Sequence, residues 1–215
     1  MSFLIYATIQ WVLPSLINGL GFINNIIRPS KKDVESSTEN VSLAPPVLNI
    51  PYEATNSAQI NIRGYGTPNS KVAIYIDEEQ RGTVEVSSDG TFEIKNIELL
   101  LGTNNIFGKS IDEKDRESLP SKRIKIVYDN EKPILEISEP EDGKNIQGGD
   151  KKIKIAGNSE PNAYVYINSS QVVLERDGKF ESIQSLNDGE NTFNIRTQDL
   201  AGNFTEVVRR VVFTP

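Results

Sequence analysis

Beyond residue 46, apolar and polar side chains alternate in short runs that are separated by turn-forming residues. Alternation puts every second side chain on one face of a β-strand, so each run predicts a strand with one buried face. In the first half the pattern predicts strands at 47–50, 58–63, 71–77, 83–87, 91–95, 104–111 and 121–128. In the second half it predicts strands at 134–138, 151–156, 163–168, 172–175, 179–183, 191–198 and 205–213.

The two halves repeat one sequence pattern. GYGTPNSKVAIYID, from residue 64, and GNSEPNAYVYIN, from residue 157, both place Pro-Asn four residues after a glycine and continue into an alternating apolar run. Asp-Gly before phenylalanine and Gly-x-Asn also recur in the same order. A tandem duplication explains this spacing. Seven short strands per repeat predict an all-β protein with two tandem seven-stranded β-sandwiches, at residues 47–129 and 130–215.

The first 27 residues contain no Asp, Glu, Lys or Arg and are long enough to cross a bilayer as a helix. They predict an N-terminal transmembrane helix, residues 1–28, that anchors the chain in membrane lipid. The polar side chains of Gln10, Asn18 and Asn25 fall on one side of this helix, where they can face another helix. Two alternatives remain, namely a helix lying in the membrane interface with this stripe toward water, and a buried hairpin of a soluble protein.

A polar segment at 29–46, rich in Ser, Glu and Pro, follows the hydrophobic one. Its composition cannot bury enough apolar surface to order the chain, so it predicts a disordered linker. Arg28, Lys31 and Lys32 lie close behind the helix. The positive-inside rule therefore favours a cytoplasmic C-terminal part.

Composition narrows the possible chemistry. The net charge of −7 argues against nucleic acid as a partner. With no Cys and no His, the chain has no thiol nucleophile, no Ser-His pair and no zinc site of the usual kind. Glu78 and Glu79 are adjacent in a turn and point apart, whereas acid–base catalysis needs converging carboxyls. Asp115 and Glu117 are expected to be solvated charges. We therefore predict a protein that is not an enzyme.

The order G-x-x-x-P-N, V-x-I, D-G-x-F, L-x-x-G-x-N and D-x-A-G-N resembles the bacterial immunoglobulin-like repeats of cell-surface proteins, adhesin-like arrays and glucodextranase-type accessory domains. The resemblance covers residues 46–215 and is closest in the second half, where residues 199–203 read DLAGN. The first half departs there, with DEKDR at 112–116. The resemblance implies immunoglobulin-like domains outside the cytoplasmic membrane, which conflicts with the basic residues after the helix. It leaves open whether they act as spacers, adhesins or sugar-binding accessories.

Calcium is the one candidate cofactor. Asp129, Asn130 and Glu131 join the two halves, and oxygen-rich linkers of this kind can bind Ca²⁺ and stiffen tandem domains. Asp199 is a further candidate ligand. A calcium site needs six to eight oxygens, however, and one short run cannot supply them alone. The alternative is that these residues form turns, with the Asp199 carboxylate accepting hydrogen bonds from its own turn.

A pair of tyrosines is the candidate ligand site. Tyr164 and Tyr166 alternate with Val165 and Ile167, so their rings should stand side by side on the opposite face of a strand. Two such rings can stack on a pyranose. The alternative is cross-strand packing, or packing against the first half, where tyrosine is equally suitable.

These observations predict a membrane-anchored cell-surface protein that presents two immunoglobulin-like domains for adhesion or structural protein interaction. One alternative is a carbohydrate-binding accessory module at the cell surface. Another is a subunit of a membrane complex assembled through the N-terminal helix. The sequence leaves the partner, protein or glycan, unidentified.

Overall fold

The computed structural model of the protein describes residues 43–215. The predicted helix at 1–28, with Gln10, Asn18 and Asn25, and all but the last few residues of the predicted linker lie outside this range. Between residues 43 and 215 the regular secondary structure is β-strand. Within the same range, no helix has the length and apolar character that a membrane crossing requires.

The described part of the chain has eight strands in each half. Those of the first half are β1 (Val47–Asn49), β2 (Ala54–Thr55), β3 (Gln59–Tyr65), β4 (Lys71–Ile76), β5 (Glu79–Glu85), β6 (Thr91–Glu98), β7 (Gly102–Ile111) and β8 (Ile124–Tyr128). Those of the second half are β9 (Leu135–Glu139), β10 (Lys144–Gln147), β11 (Lys152–Ser159), β12 (Tyr164–Ile167), β13 (Ser170–Val172), β14 (Lys179–Ser185), β15 (Gly189–Gln198) and β16 (Phe204–Thr214).

Both halves have the same sheet topology. The first half pairs a three-stranded sheet, β1-β3-β6, with a five-stranded sheet, β2-β8-β7-β4-β5. The second half pairs β9-β11-β14 with β10-β16-β15-β12-β13. Neighbouring strands are antiparallel, except that β2 runs parallel to β8 and β10 runs parallel to β16. In each half the chain therefore starts in the small sheet and crosses to the edge of the large one.

Each half has its own hydrophobic core, formed by alternate side chains of its two sheets. Ile62 and Ile74 are fully buried in the first core, and Ile155 and Ile195 in the second. The side chains predicted to point inward are buried as well, namely Val72, Ile74, Ile76, Val165 and Ile167. The two apolar clusters share no residue.

The strands depart from the sequence prediction in two ways. Strands β2 and β10 were not predicted, because each is a short continuation of the first strand after it changes sheets. Strands β5 and β13 begin earlier than predicted, directly after two-residue turns at 77–78 and 168–169. Positive φ angles of 47° and 71° in the first turn, and 47° and 70° in the second, identify type I′ hairpins. Neither turn contains the glycine that usually marks such a hairpin.

The recurrent Gly-x-Asn motif has a structural cause. Asn104 is fully buried, and its side-chain oxygen accepts a hydrogen bond from the Leu100 amide at 2.8 Å. Its side-chain amide donates to the carbonyls of Leu100 and Gly102, at 2.7 and 3.0 Å. Asn191 makes the same three bonds in the second half. The asparagine thus satisfies the backbone of the loop before β7 or β15, which no neighbouring strand can do.

Candidate functional site

The outer faces of the two five-stranded sheets differ in how their aromatic side chains are held. In the first half, strands β4 and β7 and the segment before β8 carry a set that we call the closed face, made up of Tyr75, Phe107, Lys109, Glu117 and Arg123. In the second half, strands β12, β15 and β16 carry a set that we call the open face, made up of Tyr164, Tyr166, Arg196, Gln198 and Phe204.

The aromatic rings of the closed face are covered by their own neighbours. Tyr75 and Phe107 are cross-strand partners, and their rings stack with centroids 5.0 Å apart and planes 5° from parallel. The Arg123 guanidinium lies 4.3 Å from the centre of the Phe107 ring and forms an ion pair of 2.7 Å with Glu78. Phe107 is therefore buried, although it lies on the outer side of the sheet.

An ion pair completes the closed face. The Glu117 carboxylate accepts hydrogen bonds from the Tyr75 hydroxyl at 3.0 Å and from the Lys109 ammonium at 2.8 Å. The bond from Lys109 lowers the pKa of Glu117 below its ordinary value of 4.5. Burial, reinforced by Glu117, raises the pKa of Tyr75 to about 12. The expectation that Glu117 is a solvated charge is wrong, because its side chain is 22% exposed and bound on two sides.

The open face begins with the two tyrosines of β12. Tyr164 is 43% exposed and Tyr166 is half-buried, whereas Val165 and Ile167 lie in the core. The predicted alternation along this strand is thus confirmed. Tyr166 lies opposite Arg196 of β15, and Tyr164 lies opposite Gln198. The rings stand on the outer face of the sheet with polar side chains beside them.

Three further residues of the open face, Arg196, Gln198 and Phe204, were not identified from the sequence. The Arg196 guanidinium lies 4.0 Å from the centre of the Phe204 ring, and Phe204 is 45% exposed. One terminal nitrogen of Arg196 donates to the Gln198 side-chain oxygen at 3.3 Å, while Nε is buried and has no hydrogen-bond partner among the described residues. Gln198 and Phe204 form the first cross-strand pair after the turn that ends β15. Pairing these two residues and counting back two positions along β15 would have placed Arg196 on the same face as Phe204.

The two faces use equivalent positions differently. Lys109 and Arg196 are both the eighth residue of their strands, β7 and β15. Glu117 and Phe204 each form the first cross-strand pair after the turn that ends those strands. The Lys109–Glu117 ion pair of the first half is therefore replaced by a contact between Arg196 and the ring of Phe204 in the second half.

The calcium candidates take part in a hydrogen-bonded turn. The Asp199 carboxylate accepts bonds from the Asn203 amide and side chain, both at 2.8 Å, and the Asn203 side chain also donates to the Asp129 carbonyl at 2.9 Å. The Asp129 side chain accepts a bond from the Glu131 amide at 2.9 Å, and Asn130 is exposed. From residue 43 onward, no cluster of three or more Asp, Glu, His or Cys side chains is arranged to hold a metal. The calcium prediction thus rests on the sequence alone.

The turn after β7 keeps its geometry although its sequence departs from D-x-A-G-N. The Asp112 carboxylate accepts a bond of 2.9 Å from the Arg116 amide, and this bond lowers the pKa of Asp112 to about 2. Asp115 adopts φ of 56° at the position where the second half has Gly202 with φ of 94°. Asp115 is exposed, as expected. Asp and Asn tolerate this left-handed conformation better than most residues, which explains how the motif can vary without loss of the turn.

A cleft of about 1000 Å³ lies where the second half meets the first. The turns at 160–163 and 199–201 form one wall, and Tyr52 and Lys125 contribute to the other. These turns also hold the connection between the halves, since Asn203 binds Asp129. The cleft is therefore explained by the junction and shares no residue with the open face.

Two successive β-sandwiches, each with a three-stranded and a five-stranded sheet and a divided first strand, define a tandem pair of immunoglobulin-like domains. Residues 133–214, in the second domain, match the family model described as glucodextranase, domain B. The chain is also 28% identical over 151 residues to bacillopeptidase F of Bacillus subtilis (strain 168), which is 70% of this chain and 10% of that protein. The chain thus spans about a tenth of the length of this relative.

Solved structures agree on the fold. The fibronectin(III)-like modules of Clostridium thermocellum CbhA superpose on the chain with a TM-score of 0.57 at 15% identity, covering 79% of this chain and 94% of that one. At this identity the likeness establishes the fold alone. The two domains thus have a fold of the immunoglobulin and fibronectin(III) kind.

Proposed function

We propose that the chain is a non-catalytic interaction module of a cell-surface protein, in which the second domain binds a partner through the open face and the first domain supports it. One observation carries this proposal. The two domains share one sheet topology. On the outer face of the five-stranded sheet, however, the aromatic rings are covered in the first domain and exposed in the second.

Exposure of these rings is physically informative. Single apolar side chains on a surface are ordinary, but neighbouring exposed rings rimmed by polar groups are typical of interaction sites. Phe204 and Tyr164 keep 45% and 43% of their surface accessible although a covered arrangement is available to this fold, as Phe107 shows at 2%. The second domain thus leaves apolar area available for a partner.

The binding face can be tested with the full chain displayed on cells. Replacing Tyr164 and Tyr166 together with Ala should reduce adherence to the partner surface at least about tenfold, because both rings belong to the open face. The matched control is Tyr65→Ala, which removes a tyrosine that is 60% exposed in the first domain. Equal adherence of the two variants would overturn the proposed face. Unchanged circular dichroism confirms that both fold.

The proposal includes a membrane anchor and an extracytoplasmic location. The apolar sequence of residues 1–27 and the resemblance to surface repeats support it, whereas Arg28, Lys31 and Lys32 oppose it. Protease added to intact cells should digest residues 43–215. Protection until the cells are opened would place the domains in the cytoplasm.

A carbohydrate-binding accessory module is the second candidate function. The arrangement that favours it is the row of rings at Tyr164, Tyr166 and Phe204, with the planar polar groups of Arg196 and Gln198 between them. Rings of this kind stack on the C–H face of a sugar, while amide and guanidinium groups bind its hydroxyls. Binding to a glycan array that is lost in the double tyrosine variant would favour this function over protein adhesion.

A further inference from the structure

We infer that the open face binds an acidic sugar, a uronic acid residue of a polysaccharide, and that Arg196 binds its carboxylate. This inference rests on the carbohydrate-binding function proposed above. It goes beyond that function by naming the charge of the ligand and the residue that selects it.

Arg196 forms no ion pair with any described residue. Its only hydrogen bond between residues 43 and 215 is the 3.3 Å contact with Gln198. Glu206 is its cross-strand neighbour but is exposed and forms no ion pair with it. A half-buried guanidinium without a carboxylate is unfavourable, so an anionic ligand would gain from pairing with it.

The first domain shows which group is missing. At the equivalent position Lys109 is paired with the Glu117 carboxylate at 2.8 Å. In the second domain Phe204 occupies the position of Glu117, so the cation remains while the internal anion is gone. A carboxylate supplied by a ligand would restore the pair, and the planar guanidinium suits its geometry.

The rings around Arg196 favour a sugar over a protein as the source of this carboxylate. Tyr166 lies directly across the strand pair, and Phe204 stacks on the guanidinium itself. A uronic acid combines a flat C–H face for the rings with a carboxylate at its edge, and thus fits both features.

The test measures binding of the full chain, in detergent micelles, to three uronate polymers, namely polygalacturonate, alginate and hyaluronan. Each is compared with its carboxyl-reduced, neutral form. We expect at least one polymer to bind about tenfold more tightly than its reduced form. Arg196→Gln should abolish this preference, and Arg196→Lys should retain part of it because the charge remains. The control variant is Arg63→Gln, which removes an exposed arginine from the first domain.

The outcomes separate the inference from the function on which it rests. Equal binding of acidic and reduced polymers would overturn the acidic-sugar inference and leave carbohydrate binding intact. Binding to none of the six polymers would overturn the inference, and capture of a protein partner by the same face would then also remove the carbohydrate function. A preference for the acidic polymer that survives Arg196→Gln would overturn the role of Arg196. Thermal unfolding of each variant confirms that it is folded.

Discussion

The closed face and the open face lie on the equivalent sheet of the two domains. The side chains of the closed face cover and pair with one another, whereas the rings of the open face stay exposed. On the closed face the rings of Tyr75 and Phe107 stack on each other, and Lys109 has its carboxylate. In the second domain the rings at Tyr164 and Phe204 face solvent. The duplicated fold thus acts as an internal reference, and the departure from it marks the surface that we propose for binding.

The path of the last strand also differs between the domains. In the first domain the chain is irregular between Ser118 and Ser121, and two serine hydroxyls accept hydrogen bonds from the backbone of β7. Ser118 accepts a bond from the Ser110 amide and Ser121 accepts one from the Gly108 amide, both at 3.0 Å. This irregular segment precedes the residues that cover Phe107. In the second domain β16 runs without interruption from Phe204 to Thr214.

The largest effect is expected from a glycine substitution that destabilises one hydrophobic core and leaves the other intact. A Cβ at Gly157 would lie 2.3 Å from the Glu136 carbonyl oxygen and 2.8 Å from the Phe180 ring. Gly157→Ala should therefore destabilise the second domain by more than about 3 kcal/mol, because the backbone oxygen cannot move aside cheaply. Gly64→Ala should do the same to the first domain. Amide resonances of each domain, followed during thermal unfolding, report the two transitions separately. Loss of both domains in either variant would show that the cores are not independent.

A second pair of substitutions tests whether the covered ring contributes more to stability than the exposed one. Phe107→Ala should destabilise the first domain by about 3 kcal/mol, because a ring that is 2% exposed leaves a cavity between Tyr75 and Arg123. Phe204→Ala should cost less than about 1 kcal/mol, since 45% of that ring already faces solvent. Denaturant unfolding of both variants measures the difference. Similar losses of stability in the two variants would mean that Phe204 stabilises its domain as much as Phe107 does.

The smallest effect concerns the pH dependence of the closed face. Because the folded domain lowers the pKa of Glu117 below 4.5, this carboxylate stabilises the domain fully above that pH. The contribution is lost as the pH falls through the lowered pKa. Glu117→Gln should therefore cost up to about 1 kcal/mol near pH 7, and this difference should shrink as the pH falls below 4.5. Unfolding of both proteins across this pH range provides the measurement, and a difference that does not shrink in acid would contradict it.

Alternation along the chain was enough to predict the core and all strands except β2 and β10. Val72 and Ile167 point inward because side chains alternate along any strand, whatever its neighbours. The repeated Asn104 and Asn191 could be recognised as equivalent from spacing alone, although their hydrogen bonds required the fold. Local patterns therefore revealed both the duplication and the sandwich architecture.

The candidate site was predicted only in part, because a site depends on which strands are neighbours. Tyr164 and Tyr166 were found since one strand carries both. Phe204 lies six residues beyond Gln198 yet directly opposite it, and this pairing requires the turn geometry. Glu117 binds Tyr75 from 42 residues away, and no periodicity links the two.

The parallel pairing of β2 with β8, and of β10 with β16, determines how the chain would respond to tension. In each domain these strands lie near the entry and the exit of the chain. Pulling the ends apart would slide the paired strands past each other, so that their hydrogen bonds bear the load together and do not open one by one. The longer register in the second domain, four residue pairs against two, implies that it would yield to force after the first.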